Sequence, residues 1–200
     1  MARLMASCES PGATLSAEGL ALVRGGRQLF ADLSFGLAPG EALLVTGQNG
    51  AGKSSLLRLV AGLLVPDAGM LSNPFSTAML ASEPALKPDR TVRSELAFWA
   101  GLDGASDDRV AAACTTMAVT ALLAFRCGQL SSGQRQRVAI ARTIASGAAV
   151  WLLDEPTSAL DAASEARLLE AVAQHRAGGG MVLAATHQPL PFPAAGTIRL

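Results

Sequence analysis

The segment Gly47-Gln48-Asn49-Gly50-Ala51-Gly52-Lys53-Ser54 has the spacing G-x-x-x-x-G-K-[ST]. Its glycines let the backbone curl tightly, so that amides point inward at phosphate oxygens. Lys53 supplies a point charge for terminal phosphates. Ser54 offers a hydroxyl to Mg²⁺, an ion that keeps water and takes few protein ligands. With Ser55, these residues form the candidate nucleotide site. The motif carries weight only where an apolar strand precedes it and an amphipathic helix follows. Ala42 to Val45, and the helical spacing of Leu56, Leu57, Val60, Leu63 and Leu64, meet that condition.

Asp154 and Glu155 directly follow the apolar run Val150 to Leu153. A carboxylate at the carboxyl end of a parallel strand can face a phosphate loop on the same sheet. Asp154 is then the candidate Mg²⁺ ligand, through water, and Glu155 the group that orients and polarises an attacking water. Phosphoryl transfer asks for little beyond such positioning and charge neutralisation. His187 follows a third apolar run, Met181 to Ala185, and there an imidazole could donate to a γ-phosphate. His175, near a helix end, has no such support and is read as surface.

Leu130-Ser131-Ser132-Gly133-Gln134 opens another helical segment, running to Ser146. Two hydroxyls, a glycine and a helix N-terminus can receive an anion. On residue types alone, an ordinary capped helix start with Ser131 as cap is the better reading.

The elements that must hold these groups alternate. Residues 1–17 read as an irregular lead-in. Leu20 to Val23 and Gln28 to Leu37 flank a hairpin turn at Gly25-Gly26. A Pro-containing stretch covers Asn73 to Pro88. Thr91 to Ala100 and Asp107 to Phe125 read as helices, with Thr91 and Ser106 as caps. Asp161 caps a helix carrying Leu168, Leu169 and Val172 on one face, ended by Gly178 to Gly180. Strand and helix alternation predicts an α/β fold with a mainly parallel sheet and helices on its faces.

Composition narrows the function. The chain has 200 residues, half of them hydrophobic, enough for one domain with a full core. Sixteen basic and sixteen acidic residues cancel, aromatics are scarce and Tyr is absent, so no overall charge or stacking platform points to a nucleic-acid binder, although a local basic patch could still exist. Cys8, Cys114 and Cys127 form no CxxC pair and read as small buried hydrophobes in a reducing cytoplasm. The first residues show no secretory leader. Val110 to Phe125 is slightly short for a span and reads as packed helix, so the chain is not expected to cross a membrane by itself.

Taken together, these residues resemble the ATP-binding-cassette family, from about residue 18 onward. LSSGQ is similar to that family's signature LSGGQ, with Ser132 in place of its first glycine. WLLDEPTSALD, Trp151 to Asp161, resembles its second nucleotide motif running into the D-loop, and His187 its switch histidine. The resemblance implies a P-loop fold as a single nucleotide-binding domain over residues 1–200. An N-terminal antiparallel subdomain and a helical subdomain, roughly residues 88–146, belong to it. It implies ATP and Mg²⁺, and a head-to-tail dimer in which Ser131, Ser132, Gly133 and Gln134 act on the ATP of a second copy while Asp161 links the two sites. In this family a Gln usually precedes the helical insertion and senses Mg²⁺. Glu83 occupies that place here and is the third candidate metal contact. The family also stacks an aromatic on adenine just before the Gly25-Gly26 turn, where this chain offers Val23 and Arg24, so Arg24 is the candidate base contact through its guanidinium plane.

Within the family, GGRQLFADLSFGLAPGEALLVTGQNGAGKSSLLRLVAGLL, LKPDRTVRSELAFWAGL and ATHQPLP are similar to the haem-exporter ATPases of bacterial cytochrome c maturation. That implies an ATP-hydrolysing subunit held peripherally on the cytoplasmic face of the inner membrane by integral transporter subunits. The docking surface is expected over Ala81 to Thr91 and the helix after it, with Phe98 and Trp99 as either contacts or core. The alternatives are a cassette subunit for another cargo, a soluble cassette ATPase on ribosomes or DNA, and a binder of ATP without turnover. A single cassette with no basic tail weighs against the soluble ATPase, and Glu155 weighs against the non-hydrolysing binder.

Overall fold

The structure, a computed structural model, describes residues 14–187 and 196–200. Cys8 and the stretch after His187 lie outside the described residues. Two sheets organise the chain. The first is antiparallel, in the order β2-β1-β4, from β1 (Leu15–Arg24), β2 (Arg27–Leu37) and β4 (Ala68–Ser72). The second is parallel, in the order β5-β6-β7-β3-β8. Its strands are β3 (Ala42–Thr46), β5 (Thr77–Leu80), β6 (Val150–Asp154), β7 (Met181–Ala185) and β8 (Gly196–Arg199).

Strand alternation sends the parallel sheet's residues to two cores. Trp151, Leu153, Val182 and Ala184 pack toward α2 (Val92–Asp103), α4 (Ser132–Ser146) and α5 (Ala162–Ala177). Val150, Leu152, Met181 and Leu183 pack on the other face, against α1 (Lys53–Val60) and the antiparallel sheet. Between β5 and β6 the chain makes three α-helices, α2, α3 (Asp107–Thr116) and α4.

Several elements differ from the sequence expectation. Leu15 to Ala17 already belong to β1, because Leu15 and Ala17 bury against the second core. Helix α1 stops at Val60: Gly62 N–H bonds Leu59 O and Leu63 N–H bonds Arg58 O, which closes the last turn and leaves Leu63 66% exposed. The segment Asp107 to Phe125 is not one helix. Thr115 and Thr116 bond back to Ala111 and Ala112 carbonyls, and Ala118 takes φ 52. Arg137 then caps the freed Met117 and Ala118 carbonyls. Helix α2 runs past Ala100 to Asp103, where Gly104 ends it. Strands β4, β5 and β8 are present in addition to the expected elements. His175 is not a surface residue: its ring stacks on Trp151 at 3.9 Å and 5°, and burial pushes its pKa down.

Candidate functional site

The phosphate loop joins β3 to α1. Gly52 stands at the helix N-cap with φ +108, and a Cβ there would meet Leu29 at 3.1 Å and the Phe30 ring at 3.3 Å. No side chain caps α1 and its first turn holds no acid, so its leading amides are left for an anion. Lys53 is buried. Its ammonium donates to the Gly47 carbonyl at 2.9 Å and the Gln48 carbonyl at 3.3 Å, curled over the loop it serves.

Backbone bonds draw the ends of neighbouring strands together. Thr186 N–H donates to Val45 O at 3.0 Å, and Glu155 N–H donates to Ala185 O at 2.8 Å. Glu155 pays for that position with a left-handed backbone, φ 47. Its Oε2 lies 2.8 Å from His187 Nδ1. Asp154, the last residue of β6, is 2% exposed. Burial pushes its carboxyl above the ordinary carboxylate range, while a hydrogen bond with Ser54 pulls the other way and the adjacent Glu155 pushes it further up.

A cavity of about 320 Å³ holds Lys53, Ser54, Ser55, Asp154 and Glu155 together with Asn49 and Gly50. A second, of about 710 Å³, begins at Leu29 and Asn49 and is walled by Gln48, Ala51 and His187, among others. The expected loop, Asp154, Glu155 and His187 are thus brought to one place. Glu83 is not: it is exposed, and its neighbour Ser82 lines the smaller cavity instead. Arg24 is exposed on the hairpin and lines neither cavity; Arg27 and Arg199 line the larger one.

The LSSGQ residues lie elsewhere. Ser131 caps α4 in a reciprocal box, with Gln134 N–H on its Oγ at 3.2 Å and its own N–H on Gln134 Oε1 at 2.9 Å. Ser131 to Gln134, Arg137 and Ala159 to Asp161 enclose a polar cavity of about 380 Å³ that shares no residue with the other two. Gly133 is needed there for close approach, since a Cβ would stand 2.7 Å from Ala159 O. Asp161 caps α5 through Ser164 N–H at 2.8 Å, and hydrogen bonds from the Ser164 hydroxyl and then from that N–H pull its carboxyl below the ordinary range. Buried Gln136 bonds Pro156 O at 3.2 Å, tying α4 to the segment that carries Glu155; a glutamine inside an apolar helix face was the available signal for it.

Among the described residues no cluster of three or more acids, histidines or cysteines forms a metal cage. The Ser54–Asp154 pair suits an ion that keeps most of its water and shares phosphate oxygens, as Mg²⁺ does. Phe98 is 42% exposed beneath the Arg90 guanidinium, whereas Trp99 is half-buried and donates Nε1 to Glu95 at 2.9 Å. No helix among the described residues is long and apolar enough to cross a membrane.

Comparison with known proteins gives one family. Its sequence model, described as ABC transporter, matches residues 30–158. The chain is 45% identical over 206 residues to the cytochrome c biogenesis ATP-binding export protein CcmA of Rhodospirillum rubrum, covering 96% of this chain and 87% of that protein. The protein of the same name from Sphingopyxis alaskensis is 46% identical over 179 residues, covering 90% and 92%. A solved ATP binding subunit of an ABC transporter superposes with a TM-score of 0.82 at 25% identity, over 88% of this chain and 80% of that one.

Proposed function

The chain belongs to the ABC transporter family, and on that premise we propose that it is the ATP-hydrolysing subunit of a transporter in cytochrome c biogenesis, coupling ATP turnover to haem export or handling. The observation that carries the ATPase half is the meeting of Lys53, Ser54, Asp154, Glu155 and His187 at the carboxyl ends of β3, β6 and β7. The carrier half rests on the likeness to the CcmA proteins over nearly the whole chain.

Each residue then has a task. Loop amides and the α1 N-terminus hold the β- and γ-phosphates, and Lys53 exchanges its two loop carbonyls for phosphate oxygens. Ser54 and, through water, Asp154 would hold Mg²⁺, which would neutralise phosphate charge. Glu155, fixed by His187, orients the attacking water and takes its proton. The signature cavity, remote in one chain, serves the ATP of a second copy docked head to tail, with Asp161 at the junction. Integral membrane subunits hold the chain at the cytoplasmic face of the inner membrane, over the surface from Ala81 to Thr91 and α2. Glu83, exposed and outside the phosphate cavity, is read as a contact for that partner in place of a metal ligand. Residues 1–200 form one nucleotide-binding domain, with the helical insertion at roughly 88–146.

The test is Lys53→Ala in the purified chain. Loss of the ammonium is expected to weaken ATP by on the order of 100-fold, the cost of removing a buried charge from a phosphate. Unchanged nucleotide affinity would remove the phosphate-loop reading. Co-purification of the chain with integral subunits that also bind haem tests the carrier half; their absence from every detergent extract would count against it.

A further inference from the structure

The two cavities at the phosphate loop meet at Leu29 and Asn49, which line both. The smaller contains the groups suited to phosphate and metal: Lys53, Ser54, Asp154 and Glu155. A triphosphate seated there continues past Leu29 and Asn49 into the larger cavity. That cavity, at about 710 Å³, has the size of an ordinary small-molecule site. Among the described residues no Phe, Trp or Tyr lines it. Two planar cations do: Arg27 from β2 and Arg199 from β8, so one comes from each sheet. Both are exposed, and among the described residues neither has an ion-pair partner. Leu29 adds an apolar surface beside them. Arg24, the Cα partner of Arg27 across the hairpin turn, does not reach the cavity.

A guanidinium plane stacks on the face of a flat base and is less hydrated than an ammonium. Every base has such a face, so stacking of this kind tolerates base identity. We infer that Arg27 and Arg199 together hold the nucleoside half of the nucleotide, and that the chain therefore discriminates weakly between purine bases. This rests on the ATPase reading above. It assigns to a pair of residues from two sheets the contact expected of Arg24.

The experiment is titration calorimetry on the full chain with Mg²⁺, using ATP, GTP and inorganic tripolyphosphate, for the wild type, Arg27→Ala and Arg199→Ala. Wild-type affinities for ATP and GTP are expected within about tenfold. Each substitution is expected to weaken both nucleotides about fivefold and to leave tripolyphosphate within about twofold. An equal loss for tripolyphosphate makes the arginines phosphate contacts and overturns the inference. So does unchanged ATP affinity in both variants, or a larger loss from Arg24→Ala than from Arg27→Ala. A wild-type chain that binds neither ATP nor tripolyphosphate overturns the ATPase reading along with it, which separates that failure from the others.

Discussion

Gly133→Ala tests the two-chain site from a single added methyl group. Gly133 lies in the first turn of α4, where alanine is the better helix former by up to about 1 kcal/mol. Against that gain, the new Cβ stands 2.7 Å from Ala159 O, where ordinary contact begins at 3.4 Å. That carbonyl is backbone, in a turn with Ala159 at φ 62 and Leu160 N–H on Thr157 O, so the turn itself must retreat. Strain of about 1 kcal/mol offsets the helix gain, and the melting temperature stays within about 3 °C. Catalysis does not stay, because displacement of a positioning group by a fraction of an ångström to 1 Å costs on the order of 10- to 100-fold. The decisive assay mixes this variant with Glu155→Gln, itself expected to bind ATP and barely turn it over. In a mixed dimer, one site joins an intact Glu155 to an intact signature. Random pairing then restores about a quarter of wild-type ATPase from two nearly inactive proteins. No recovery on mixing, with both variants folded and able to pair, would refute the assignment of the signature cavity to a second chain's ATP.

Three further outcomes follow from buried charge. Asp154 has a raised pKa in the folded chain, so its stabilising contribution is full below the ordinary carboxylate value and is lost as pH rises through the raised one. Asp154→Asn is therefore expected to melt about 1 kcal/mol later than the wild type near neutrality without nucleotide, and the advantage should vanish in acid; a pH-independent difference would contradict the cause given. Mg²⁺ affinity should rise with pH over the same window, because the ion displaces that proton. Glu95, 1% exposed, accepts from Trp99 Nε1 and faces Arg90 at 3.6 Å. Glu95→Ala strands those partners and is expected to cost about 3 kcal/mol, or about 6–12 °C in melting temperature; a shift under about 2 °C would show the carboxylate to be dispensable.

The phosphate-loop side of the candidate site was legible because its residues sit at strand ends, where period and motif coincide. β6 and β7 are buried throughout and β3 over most of its length, and each releases its polar group at or just past its end. The base side was not legible in the same way. Arg24 and Arg27 differ by one turn of hairpin, and only the path of β2 decides which reaches the cavity. β8 contributes Arg199 through four residues, GTIR, too short to show a period. β5, half-buried along most of its length, follows a Pro-containing loop that hides it. Glu95 gave a faint sign in its i,i+4 spacing to Trp99, but a charge in an Ala-rich helix reads as solvated until the packing is seen. Ser131 illustrates the opposite case: the ordinary cap read from residue types is present, and the same cap shapes the polar cavity.

The stack of Trp151 on His175 gives the molecule a built-in optical divide. The chain has two tryptophans, one in β6 against an imidazole and one, Trp99, on α2 bonded to a carboxylate. Their emission comes from separate parts of the fold, the parallel sheet and the helices inserted before it. In a Trp99→Phe chain the remaining emitter watches the sheet alone, and its quantum yield follows the charge on the ring stacked over it. The wild-type minus variant spectrum then isolates the inserted helices, so movement of one part against the other during an ATP cycle can be timed without any attached dye.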